Sequence, residues 1–131
     1  MKKFSLILLS FSVVMIIMSM TTQPKPWPVP DKYEKMVNPV KSDAASLANG
    51  KALYNQHCKS CHGTKGKGDG TKAETLDTDC GDFTKSSFHA QTDGALYYKT
   101  WEGRKDMPAF KKKIPDANDM WAVVNYMRTF K

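Results

Sequence analysis

No proline stands between Pro39 and Pro108, so nothing in that stretch forbids a helix interior. No segment alternates apolar and polar residues long enough to read as a strand, and beyond residue 41 there is no internal repeat or low-complexity tract. The chain therefore reads as all-α with long connections. Cysteine is scarce: three residues, at 58, 61 and 80, which cannot all pair within one chain and exclude a fully disulfide-stapled fold. Acidic charge is the minority sign, with 13 Asp and Glu against 20 Lys and Arg, a formal net charge of +7. The excess is spread as single lysines apart from Lys111, Lys112 and Lys113, so no nucleic-acid module is outlined and no nucleic-acid partner is expected. Such charge suits a solvated surface or an acidic protein partner.

Long apolar runs are also lacking, with one exception. After Met1, Lys2 and Lys3, the seventeen residues Phe4 to Met20 carry no charge, the layout of a secretory signal. At about 1.5 Å per residue the run spans only about 26 Å, slightly short for a bilayer. Residues 1–22 are thus expected to be a signal peptide cleaved around Met20 to Gln23, or else a retained N-terminal membrane anchor. Either way the remainder is expected to be exported to the periplasm, anchored to the inner membrane in the second case. Membrane contact would then come only from that anchor. Residues 23–41 hold prolines 24, 26, 28, 30 and 39 and favour extended polyproline II. They read as a plain linker, or as an arm laid on the domain through Trp27, Tyr33 and Met36. Residues 42–131 remain for one domain, small enough to need help from a bound group.

Ser42 or Asp43 can cap a helix through AASLANGKALYNQHC, with Leu47, Gly50, Tyr54 and Cys58 on one face. Gly50 costs about 1 kcal/mol there relative to alanine, and makes sense only if another backbone approaches closely. A short helical piece is expected near Lys72 to Leu76, and residues 77–91 read as irregular. Thr92 or Asp93 caps a second helix closed by Gly103. A third begins after Pro115 with Asp116 as its cap and Met120, Val123, Val124, Met127 and Phe130 as its apolar stripe.

The chemistry concentrates in CKSCHGTKGKGDG, residues 58–70. On a helix Cys58, Cys61 and His62 project from neighbouring positions. That suits a planar ligand with two covalent attachments and one metal bond from the same side, and C-x-x-C-H is the attachment signature of c-type haem. A zinc site would need two more ligands from His57, Cys80 and His89, and adjacent Cys61 and His62 fit poorly around one tetrahedral ion. A thiol–disulfide motif would need a βαβ context, and a structural disulfide leaves His62 unexplained. Met107, in the non-helical GRKDMPAF, is the leading candidate for a second iron ligand, with His89 next. Met120 and Met127 belong to the core stripe.

The stretch from Ser42 to Lys131 resembles a class I mono-haem c-type cytochrome, through GKALYNQHCKSCHGTKGKGDG, DGALYYKTWEGRKDMPAF and WAVVNYMRTF in the family order. The resemblance implies a small cytochrome c fold, with N- and C-terminal helices crossed around one covalently bound haem c and its iron. Gly50 and Tyr54 would then meet Val123 and Tyr126. It implies thioether links at Cys58 and Cys61, and His62 and Met107 as iron ligands. Arg104 is expected at a haem propionate, with Trp101 or Tyr97 as hydrogen-bond donor. Leu53, Leu76, Phe83, Leu96, Trp101 and Phe110 are expected as apolar cover. The family's proline carbonyl behind the axial histidine is missing, so a carbonyl between Thr71 and Asp79 is expected instead. Cys80 reads as a buried free thiol or an intermolecular pairing site. The function implied is a non-enzymatic carrier of single electrons between respiratory redox partners, a reductase and an oxidase or dehydrogenase. A fixed electron-entry subunit of a larger membrane complex is the alternative. A haem enzyme or gas sensor would require an open distal site.

Overall fold

A computed structural model describes residues 26–131, and the signal or anchor segment lies outside them. Among the described residues every regular element is helical: α1 Asp31–Glu34, α2 Ala44–His57, α3 Lys59–His62, a 3₁₀ turn Ala73–Thr75, α4 Ser86–His89, α5 Asp93–Glu102 and α6 Ala117–Met127. The starts of the three long helices follow from their caps. Asp43 accepts from the Ser46 amide, Thr92 from Ala95, and Asp116 from Asn118 and Asp119, satisfying donors that have no partner inside a helix.

Helices α2 and α6 cross, and the crossing is made by Gly50. A Cβ there would lie 2.0 Å from the Ala122 carbonyl oxygen and 2.9 Å from the Tyr126 Cβ. The facing pair is therefore Ala122 and Tyr126 rather than Val123 and Tyr126, because periodicity fixes a stripe but not the residue at its closest point. Tyr54, fully buried one turn later, packs its ring 5.3 Å from that of Tyr126 and 5.2 Å from that of Phe130. Val123, Val124 and Met120 fill the core beneath, with Ile114. Each such fully buried aliphatic side chain contributes about 1.5–3 kcal/mol.

The arm is not a free linker. Pro30 sits at the N-cap of α1, where a missing amide hydrogen is harmless, and α1 lies against α5. The Tyr33 and Tyr98 rings are 4.6 Å apart, and Thr92 Oγ1 donates to Glu34 at 2.8 Å. Farther along, the amide of buried Asn125 in α6 reaches the Asn38 side chain at 2.8 Å and the Val40 carbonyl at 3.1 Å. Residues 86–89, expected to be irregular, form one helical turn that buries Phe88.

Candidate functional site

The C-x-x-C-H segment leaves α2 at Cys58 and makes one more turn, α3. The glycine-rich loop then folds back onto it. Gly68, Gly70 and Lys72 donate their amides to the carbonyls of His62, Cys61 and Ser60 at 3.0, 3.1 and 2.8 Å. Tyr54 Oη donates to the Gly63 carbonyl at 2.8 Å, a buried bond that pins the loop to the helix crossing. These bonds leave few carbonyls of the turn unpaired, so its side chains are held in fixed directions.

Cys58, Cys61 and His62 share the wall of a cavity of about 690 Å³. Met107 lines the same cavity, and so do Arg104, Cys80 and His57. The apolar lining comes from Leu76, Phe83, Phe88, Leu96, Phe110 and Met127. Met107 is held by a closed two-bond bridge: the Arg104 amide donates to the Met107 carbonyl at 2.8 Å and the Met107 amide to the Arg104 carbonyl at 3.0 Å. Lys105 inside this bridge has φ +53°, and Pro108 follows at once. The ligand candidate is thus fixed in a short, rigid corner rather than carried on a helix.

Other expected residues fall elsewhere. Trp101 is not on the cavity wall; its ring stacks 5.4 Å from Tyr97 and borders a smaller pocket with Lys32, Tyr33 and Met36. Tyr97 and Leu53 do not line the cavity either. The cause is helical phase: Leu96, Lys99 and Thr100 form the cavity face of α5, whereas Tyr97 and Trp101 lie about 100° away, toward the arm and Trp121. His89 Nε2 is 2.9 Å from the Phe130 carbonyl oxygen, and Met120 is wholly buried in the core. Of the lysine triplet, Lys111 pairs with Glu102 at 2.7 Å and Lys113 reaches the cavity rim.

Burial pushes the Cys58 thiol up to about 12, with Cys61 adding to it, and raises Tyr54 as well. The His62 ring is lowered by burial, partly opposed by the Cys80 backbone. The carbonyl expected between Thr71 and Asp79 is not hydrogen-bonded to His62 Nδ1 among the described residues. His62 Nδ1 is buried and lacks a hydrogen-bond partner, while the Phe83 ring lies 4.6 Å from the imidazole. Sequence reading missed this use of Phe83, and it missed Pro26, Trp27 and Lys99 on the cavity wall.

Two thiols and an imidazole on one wall, a thioether in a rigid corner and an apolar lining together fit a haem. The volume is within the usual range for cofactor sites. Among the described residues no group of three His, Cys, Asp or Glu is arranged for a metal ion, so a zinc site lacks its ligands.

Comparison with known proteins points the same way. The model of the family described as cytochrome C oxidase, cbb3-type, subunit III matches residues 45–127. No curated protein matches the chain. Among solved structures, the Kuenenia stuttgartiensis reducing HAO-like protein complex Kustc0457/Kustc0458 contains a similar chain, with a TM-score of 0.63 and 24% identity. The similarity covers 82% of this chain and 51% of that one, so this chain spans about half of the other's length and shares its fold.

Proposed function

Because the chain belongs to the c-type cytochrome family whose model is described as cytochrome C oxidase, cbb3-type, subunit III, we propose that it carries single electrons between respiratory redox proteins in the periplasm. Family membership makes it an electron-transfer protein with covalently bound haem c and iron. When bound, the haem supplies an iron whose charge changes by one. Cys58 and Cys61 would attach it, and His62 and Met107 would hold the iron.

The observation that carries this reading is the placement of Met107. It lines the same cavity as the C-x-x-C-H turn and is held in a bridge closed at both ends. With His62 and Met107 both holding the iron, no coordination site would be left for a substrate, which favours a carrier over an enzyme. A neutral thioether ligand and the apolar walls of Leu76, Phe83 and Leu96 disfavour the extra charge of ferric iron and raise the potential. The Phe83 ring packed against His62 restrains the imidazole, limiting rearrangement when the charge changes.

The test is spectroelectrochemistry of the purified holoprotein. A reversible one-electron couple, with ferrous protein inert to carbon monoxide, is the expected result. Rapid carbon monoxide binding would instead mark an open distal site and an enzyme or sensor.

A second reading, a fixed electron-entry subunit of a larger membrane complex, draws on the similar solved chain, which belongs to a protein complex. Size-exclusion of a native extract separates the two: a carrier elutes near the mass of one chain. For a carrier, electron transfer to the partner should slow as salt rises, since attraction between exposed charges is screened over about 8 Å. Replacing Lys111, Lys112 and Lys113 by Gln should flatten that dependence if an acidic partner docks beside Met107.

A further inference from the structure

Lys99 and Arg104 are two half-buried cations on one side of the cavity wall. Two ion pairs occur among the described residues, Lys111–Glu102 and Arg128–Asp93, and neither uses them. Between them lies an aromatic ring from the arm: the Arg104 guanidinium is 4.5 Å and the Lys99 ammonium 5.7 Å from the centre of Trp27. Arg104 Nη1 also donates to the Pro26 carbonyl at 3.0 Å, and Lys99 Nζ to the Gln91 side chain.

The ring is held there by the arm's own docking. Gly94 of α5 makes room for it, since a Cβ would lie 1.8 Å from the Tyr33 carbonyl oxygen. Lys99 is depressed by burial, with Glu34 opposing and Arg104 adding to the effect. Two like charges brought together at a half-buried rim, with no carboxylate of the described residues within ion-pair distance, are a receptor for an anion. Haem c carries two carboxylates of its own.

We propose that the arm is part of the haem site: Trp27 is a positioning residue that holds Lys99 and Arg104 against a haem propionate. This rests on the haem reading above and adds a second cation and an N-terminal residue to the contact expected of Arg104 alone. Neutralising the propionate removes a negative charge that would favour ferric iron. The clamp therefore raises the reduction potential and lowers the pKa of the propionate, because the partner cations favour its ionised form.

The test uses full-length holoprotein carrying Trp27→Ala, Trp27→Phe, Lys99→Gln or Arg104→Gln, with potential measured from pH 5 to 9. Lys99→Gln and Arg104→Gln should each lower the potential at pH 7 and move the low-pH inflection upward. Trp27→Ala should do both to a smaller degree and Trp27→Phe should restore wild-type values, while the visible spectrum keeps its methionine-ligand band in all four. Unchanged potential and inflection in Lys99→Gln and Trp27→Ala would overturn the clamp and leave the electron-carrier reading standing. A shift in Trp27→Ala that Phe does not rescue, or that comes with loss of the methionine band, would reduce the arm to general stability and also refute it. Where Arg104→Gln weakens the Met107 bridge, Arg104→Lys tests the same charge.

Discussion

Replacing Gly50 by alanine should destabilise the fold although alanine is the better helix former. The added methyl would stand 2.0 Å from the Ala122 carbonyl oxygen and 2.6 Å from its carbon. Carbon and oxygen do not settle closer than about 3.3 Å, so α2 and α6 must part locally by about 1 Å or more. The obstructing atom is backbone inside a regular helix and cannot rotate away. Overpacking of this kind costs about 1–3 kcal/mol, and the upper part of that range applies here. Helix propensity returns about 1 kcal/mol, leaving a net loss of about 1–2 kcal/mol. For a domain of this size that is a drop in Tm of about 4–15 °C. Guanidinium unfolding of oxidised holoprotein, followed by far-ultraviolet circular dichroism, measures it. Ala48→Gly, exposed on the same helix, is the control and should lose about 1 kcal/mol by propensity alone. A Gly50→Ala protein as stable as wild type, or more so, would show that the helices do not meet at this point.

Met107→Ala should abolish the far-red band of methionine-bound ferric haem and admit carbon monoxide to the ferrous iron; an unchanged spectrum would remove Met107 from the iron. Cys80 should be the one thiol alkylated in holoprotein, because Cys58 and Cys61 are proposed to be thioethers. Burial raises Cys80 above the usual thiol value, with Asp79 and Asp106 also contributing, so its thiolate fraction at pH 8 is smaller than that of a free thiol. Its iodoacetamide rate should therefore lie below the model-thiol rate at pH 8 and still be climbing above pH 9. Arg128→Ala should cost about 1.5–3 kcal/mol in chemical denaturation. The guanidinium bonds Asp93 at 2.8 Å and the His89 and Gln91 carbonyls at 3.1 and 2.6 Å, tying the end of α6 to the start of α5.

The three long helices and their caps were legible because each signal is local: Asp43, Thr92 and Asp116 serve donors within three residues of themselves. The C-x-x-C-H turn and Met107 were legible because their chemistry is rare at those spacings. What sequence reading missed depended on contacts distant along the chain. Alternating prolines announce extended backbone but say nothing of what it lies on, so linker and docked arm both stayed open. A lysine is ordinarily a surface residue, so Lys99 drew no notice on a face whose phase turned it inward beside Leu96. Trp101 was expected beside the haem as hydrogen-bond donor and apolar cover, and one step of helical phase sends it to the arm instead.

The crossing of α2 and α6 also sets the order in which the protein can be made. Asn49 in the first long helix bonds Asp119 in the last, seventy positions later, at 2.7 Å. Until α6 has formed, α2 has nothing to cross and the core has no second half. Until then the Cys58 thiol is not enclosed by a completed core. Once α6 arrives, Cys58 is left with only 6% of its surface accessible. A core that only α6 completes thus encloses Cys58 as the last of the three long helices docks.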